Sequence, residues 1–233
     1  MIRGERLPVS TPNFDPFCKK IPSKMEKFDL TKLHKTYFSA KTVPEIVDIE
    51  AACYLSILGK GDPSSEAFAA DIQALYPVAY AIKFACKEVG KDFTVSKLEG
   101  QWWFDEQKFG APTLPEAPQK VPRSEWEYRL LIRMPDFVDA KMVASAVASV
   151  ISKKKMPTAA RVHFFEMTEG KCVQMLHVGA FADEPVSLQK MLDFMLGQGM
   201  LKNGLHHEIY LSDFRKTAPE DLKTILREPF KIV

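Results

Sequence analysis

The sequence predicts an α+β fold: two pseudo-symmetric strand-helix-strand-strand repeats, joined into a mostly antiparallel sheet that helices cover. Three features predict it: a composition sufficient for one core, apolar periods that switch between those of helix and strand, and a weak internal repeat. At 46% hydrophobic and 11% aromatic, the 233 residues build one sizeable core, or two half-size ones fused into a unit.

Residues 1–34 read as a loose extension and 35–233 as the domain. The first 24 residues hold four prolines and little periodicity, and Met25 follows them, as if behind a tag or an upstream start codon. Strand-like runs at 43–50 and 53–58 end in the turn signal Gly59-Lys60-Gly61-Asp62-Pro63. From 64 to 89 the apolar residues Phe68, Ile72, Leu75, Ala79, Ile82, Cys86 and Val89 recur at spacings of four and three, the period of an amphipathic helix. Pro77 cannot donate to the Gln73 carbonyl, so the helix is expected to kink or restart between Tyr76 and Tyr80.

Strands are expected at 93–104 and, after a proline-rich loop at 110–122, at 125–134, where Trp126, Tyr128, Leu130, Ile132 and Met134 alternate onto one face. A helix over 137–154 takes Asp136 as N-cap, Asp139 in its first turn and Lys153, Lys154 and Lys155 at its C-terminal end. Strands at 160–167 and 172–181 flank the turn Thr168-Glu169-Gly170-Lys171; a helix over 185–196 ends at Gly197 or Gly199, and a last strand covers 206–211.

In each half a strand ends at a glycine, an acidic-proline turn starts a helix, and the next strand carries a glutamate followed by aromatics. The first half has Gly61-Asp62-Pro63 and Leu98-Glu99-Gly100-Gln101-Trp102-Trp103; the second has Gly179, Asp183-Glu184-Pro185 and His207-Glu208-Ile209-Tyr210.

A charged fraction of 27% and a formal net charge of +2 give no field suited to nucleic acid or an anionic membrane. Cys18, Cys53, Cys86 and Cys172 are too scattered for a zinc site and read as thiols of a reducing compartment. No apolar run approaches the roughly 20 residues of a membrane span, and the N-terminus lacks a signal-peptide core, so a cytoplasmic protein is expected.

Alternation places Glu99, Gln101 and Trp103 on one strand face and Glu208 and Tyr210 on one face of another. If the repeats pair about a pseudo-dyad, the two glutamates are expected to converge. A carboxylate among aromatics either attracts a cationic aromatic ligand or gains a raised pKa and acts as general acid or base. The alternative for both is a solvated face or a satisfied salt bridge. Trp102 faces away from Trp103 and reads as core; Glu184, ahead of Pro185, serves either the helix dipole or the site. His206 and His207 point to opposite faces and nothing supplies a third ligand, so no metal and no cofactor are expected.

These residues resemble the GyrI-like small-molecule-binding domains, related to the effector domains of multidrug-responsive regulators. The resemblance is carried by Leu98–Trp103, Met175-Leu176-His177-Val178-Gly179, Asp183-Glu184-Pro185, His206-His207-Glu208-Ile209-Tyr210-Leu211-Ser212-Asp213 and Leu222-Lys223-Thr224-Ile225-Leu226-Arg227. It implies an eight-stranded two-repeat fold whose central glutamate, Glu208, meets lipophilic cations in a hydrophobic cavity. With no room for an N-terminal helix-turn-helix, the chain is similar to stand-alone members, some of which hydrolyse cyclopropanoid DNA-alkylating compounds. Gln101 departs from an expected apolar residue, and Phe214 from an expected proline in the closing turn.

Three functions are therefore expected to compete. As a binder, the domain captures aromatic, hydrophobic or cationic molecules between Glu99, Glu208, Trp103, Gln101, Tyr80, Tyr76, Tyr210, Phe181 and His177. As a hydrolase, Glu208 or Glu184 acts as base, Glu99 or Tyr80 donates a proton, and Trp103 forms a stacking wall. As a protein inhibitor of a nucleic-acid enzyme such as DNA gyrase, it needs an exposed patch that no sequence feature locates. The expected partner is a small molecule, with neither nucleic acid nor membrane, on a monomer or homodimer.

Overall fold

The computed structural model describes residues 27–232. Two single-turn helices, α1 (Leu30–Leu33) and α2 (Lys35–Phe38), precede β1 (Glu45–Ile49), β2 (Ala52–Lys60), α3 (Glu66–Glu88) and β3 (Leu98–Trp103). Short helices α4 (Glu106–Phe109) and α5 (Ala117–Lys120) lead to β4 (Glu127–Met134), α6 (Ala140–Lys154), β5 (His163–Met167) and β6 (Gly170–Val178). The chain closes with α7 (Glu184–Gly197), β7 (Met200–Lys202), β8 (His206–Tyr210) and β9 (Lys223–Ile232).

Among the described residues the sheet has nine strands rather than eight: a path of eight, β1-β6-β9-β8-β3-β4-β2-β5, with the short β7 added alongside β9. All the ladder pairings are antiparallel. Outward from its centre, one half runs β3, β4, β2 and the other β8, β9, β6, which is the expected strand-helix-strand-strand repeat folded about a pseudo-dyad between β3 and β8. The outermost strands are exchanged: β1 pairs with β6 of the second half, and β5 with β2 of the first. Gly61 (φ 122°) and Gly179 (φ 137°) end the equivalent strands in backbone conformations that favour glycine.

The helices α3, α6 and α7 lie on one face. Phe68, Ile72, Leu75, Ala79, Ile82 and Cys86 of α3 are buried with Leu55, Ile57, Leu130 and Ile132 of the sheet, as their helical spacing requires. Val89 falls outside the helix and is 73% exposed. Pro77 neither ends nor restarts α3, and the residue whose carbonyl it leaves free, Gln73, is exposed to water. Leu188, Met191 and Met195 of α7 pack on Val173, Met175 and Leu226.

Several expected boundaries move. Asp139, not Asp136, caps α6, accepting from the Met142 N–H at 2.8 Å. Residues 157–161 form a 3-10 turn, so β5 starts at His163; β6 ends at Val178, and Phe181 stands in a turn beyond Gly179. β7 and β9 were not foreseen. Of the expected N-terminal extension, residues 1–26 lie outside the described residues; Phe28 bridges to Phe93, and Leu30 is buried. Cys53, Cys86 and Cys172 are buried free thiols, and Cys18 lies outside the described residues. No described helix is long and apolar enough to cross a membrane.

The opposite face of the central strands carries an ionic network without solvent access. His207 places Nδ1 2.9 Å from Glu169 and Nε2 3.1 Å from Glu99, the second an ion contact rather than an aligned hydrogen bond. Arg227 donates to Glu169 at 3.0 Å, to Gln174 at 2.9 Å and to the Tyr37 carbonyl at 2.8 Å, and the Tyr37 hydroxyl donates to Glu99. Burial opposes the charge on His207, but Glu169 and Glu99 outweigh it and push the imidazole up to about 9. Two cations thus meet two anions, joining α2, β3, β6, β8 and β9. Removing one partner strands a buried charge, which costs about 3–5 kcal/mol. Arg227→Met is therefore expected to lower the urea midpoint sharply with little change in slope, in unfolding followed by circular dichroism.

Candidate functional site

Between α3 and α7, above the junction of β3 and β8, lies a cleft of about 990 Å³. Register decides which side chains enter it. Gly100 pairs with Glu208, and Trp102 with His206, so these four share the helix-covered face, together with Leu98 and Tyr210. Glu99 pairs with Ile209 and Gln101 with His207, on the opposite face.

The apolar lining is aromatic. Phe68 stacks on Trp102 at 5.7 Å, and Trp126 meets the same indole edge-on at 6.4 Å. Trp102 Nε1 donates to the Tyr210 hydroxyl at 3.1 Å, crossing Gly100. A Cβ on Gly100 would lie 2.9 Å from that hydroxyl and 3.0 Å from the indole nitrogen, so only glycine leaves room for the bond. Phe181 and Phe214 pack edge-on against Tyr210 at 5.9 and 5.8 Å. Leu188, Leu192 and Met195 of α7 form the facing wall.

Its acidic end is made by Glu184, Glu208 and His206. Glu184 is the first residue of α7 and 8% exposed; its Oε1 has no partner, so it serves neither as cap nor in a salt bridge. Burial, and after it the neighbouring Glu208, raise this carboxyl well above the usual range, with His206 opposing. His206 sits between two carboxylates: Nδ1 meets Glu228 of β9, and Nε2 lies 3.4 Å from Glu208. Burial works against its charge, yet Glu228 and Glu208 prevail and push it up to about 10. Burial, then Glu208, raise the Tyr210 phenol well above its ordinary value. The arrangement offers a shielded carboxyl, raised in pKa, beside a second carboxyl that the imidazole of His206 contacts. Among the described residues, no group of three His, Cys, Asp or Glu side chains comes together to hold a metal.

The structure thus brings together Glu208, Glu184, Tyr210 and Phe181. The expected convergence of Glu99 with Glu208 does not occur, because the one-residue offset of the register sends them to opposite faces. Gln101 contacts Met167 there, and Trp103 donates to Glu127 at 3.0 Å. Tyr80 is 44% exposed on the outer side of α3 beside Phe84, away from the cleft. Tyr76 lines a second cavity. His177 is buried, bonded to Ser187 at 2.9 Å and to the Ala180 carbonyl at 3.1 Å, where it ties down the entry to α7. Trp102, His206, Glu228 and Phe214 were not expected at the site. Trp102 and His206 share Glu208's parity once Gly100 is placed opposite it, a signal present in the sequence but dependent on register.

A family profile described as the GyrI-like small molecule binding domain matches residues 132–231. The chain is similar to an uncharacterized conserved protein from Listeria innocua, at 36% identity and a TM-score of 0.79, over 88% of this chain and 100% of that one. It is similar also to a protein from Listeria innocua described as a hydrolase, at 34% identity and a TM-score of 0.75, with the same coverage. The C-terminal domain of EcmrR shares the fold at 10% identity and a TM-score of 0.50, over 82% of this chain and 98% of that domain. No curated protein matches.

Two outcomes follow from the geometry. Because the folded-state pKa of His206 is raised from 6.5 to about 10, its stabilising contribution is complete below pH about 6.5 and is lost as pH climbs through 10. His206→Asn is expected to flatten part of the decline in urea midpoint across that window. Gly100→Ala is expected to separate Trp102 from Tyr210 and cost about 1–3 kcal/mol, with a shift in tryptophan emission.

Proposed function

This chain belongs to the GyrI-like small-molecule-binding domain family, and from that premise we propose that its cleft takes up a hydrophobic aromatic molecule and hydrolyses it. The substrate class is a strained electrophile such as a cyclopropanoid DNA-alkylating compound, and the consequence is detoxification. The observation that carries this reading is the inequality of two neighbouring carboxyls in an aromatic cleft: Glu184, buried and raised, and Glu208, held by the His206 imidazolium. The 34% identical protein described as a hydrolase supports the same class of reaction.

In the proposed reaction the planar ring system lies along Trp102 and Phe68. Glu208 takes a proton from water as the water oxygen bonds to a cyclopropane carbon. The ring bond breaks, its electron pair passes into the conjugated carbonyl, and Glu184 delivers its proton to that oxygen. Proton transfer from Glu208 to Glu184 through water restores the pair. The capture of a lipophilic cation is favoured less, because a cation, His206, already occupies the near side of Glu208.

The test is incubation with a cyclopropanoid alkylator, followed by mass spectrometry. Wild type is expected to generate a water adduct catalytically. Glu208→Gln and Glu184→Gln are each expected to lower kcat by about 10²–10⁴, the usual worth of a positioned acid or base. Glu184→Gln should meanwhile fold at least as stably as wild type, since an amide replaces a buried acid without a partner. Recovery of intact compound bound to wild type would reduce the protein to a binder, and turnover unchanged in both variants would overturn the carboxyl assignment.

A further inference from the structure

Behind the main cleft, on the same face of the sheet, a second cavity of about 370 Å³ lies between α3, the segment leading into β3, and the turn after β8. Two side chains line both spaces: Tyr210 and Phe214. Tyr210 is fixed, being buried on a central strand and held by Trp102. Phe214 is half-buried on a turn, at the position where the sequence departs from the expected proline, and its ring packs edge-on against Tyr210 and Phe181. The partition therefore has one half on a central strand and the other on a turn.

The second cavity has its own polar character. Ser96 is 7% exposed, and its Oγ has no hydrogen-bond partner in the protein. Such a hydroxyl costs free energy unless something enters to meet it. Tyr76 of α3 lines the same space. The charged groups around it are already engaged: Arg215 donates to Asp213 at 2.9 and 3.1 Å, and Lys97 donates to the Leu211 carbonyl at 2.7 Å. What remains on offer is neutral hydrogen bonding in a small volume about as open to solvent as the main cleft.

We infer that this cavity is a subsite for an uncharged hydrogen-bonding arm, such as an amide, on the same molecule whose aromatic ring fills the main cleft, and that Phe214 is the passage between them. The inference rests on the main cleft being the ligand site. Ser96 both donates to and accepts from the arm, Tyr76 supplies a second hydroxyl, and Phe214 sets whether an arm can pass. Specificity for armed over bare aromatics then comes from the back cavity, whereas the reacting carboxyls stay in front.

The experiment compares 2-ethylnaphthalene with 4-(2-naphthyl)butanamide, with binding followed by quenching of tryptophan fluorescence, since Trp102 and Trp126 line the main cleft. One neutral hydrogen bond corresponds to a preference of about three- to tenfold. Wild type is expected to bind the amide more tightly by at least that factor. The double variant Ser96→Ala, Tyr76→Phe is expected to lose the preference while its affinity for 2-ethylnaphthalene stays unchanged. Phe214→Trp, which narrows the passage, should lose it too. Folding is not at risk from Ser96→Ala, which removes an unpartnered hydroxyl. Equal affinities in wild type, or a preference that survives the double variant, would mean that the cavity holds only water and would overturn the subsite. If neither naphthalene quenches, the ligand-site reading of the main cleft falls, and the subsite with it.

Discussion

The pairing of Gly100 with Glu208 at the centre of the sheet is the constraint on which the site depends. A strand alternates strictly, so one residue of register decides for every side chain on β3 and β8 whether it meets the cleft or the ionic core behind it. Gly100 makes the chosen register productive: without a side chain opposite Glu208, Trp102 and Tyr210 reach across and close the cleft floor. Cleft and core are therefore two sides of one hydrogen-bonded ladder, and neither can shift without the other.

Adjacent histidines divide the electrostatics. His207 faces the core, where its charge is balanced against Glu99 and Glu169 beside Arg227. His206 faces the cleft, where Glu228 holds it from below and Glu208 receives it from above. The same device, an imidazolium between two carboxylates, is structural on one side and adjoins the proposed chemistry on the other. His207, Glu99 and Arg227 are fully buried behind the sheet, so the core pairing resists rearrangement; the cleft side opens to a ligand and can reorganise its protons.

Much of the architecture was legible in the sequence, because it depends on local periods. The spacing of Phe68 to Cys86 is that of α3, and Trp126 to Met134 alternates as β4 requires. The internal repeat, marked by two glycines and two acidic-proline turns, gave the pseudo-dyad. The site was legible only in part. Glu208, Glu184 and Tyr210 stand in the quoted motifs and line the cleft with Phe181, but Glu99 and Trp103 were placed with them by counting along single strands. Which parity of β3 matches which parity of β8 is a property of the pairing and is not written in either strand alone. β9 entered only as the closing motif at 222–227 and not as a strand; its ten residues include Glu228 and Pro229, an acid and a proline that disguise a buried strand, and the Pro229 carbonyl still accepts from Asn203. Phe214, read as a change to a turn, proved to be part of the cleft wall.

The exchange of the outermost strands reaches into how the protein is made. β1 finds its neighbour only when β6 has been synthesised, and the outer edge of β2 stays open until β5 follows, so Glu45 must remain without its strand partner until Gln174 emerges from the ribosome. Long-range pairing of this kind slows folding and leaves sticky edges exposed in the meantime. The two halves, though related by an internal repeat, cannot be separated into independent domains: cutting the chain between them would leave each half lacking its border strand. A single unit with this topology would complete its sheet by lending a strand to a second copy, which makes the present fold a tethered form of a swapped pair.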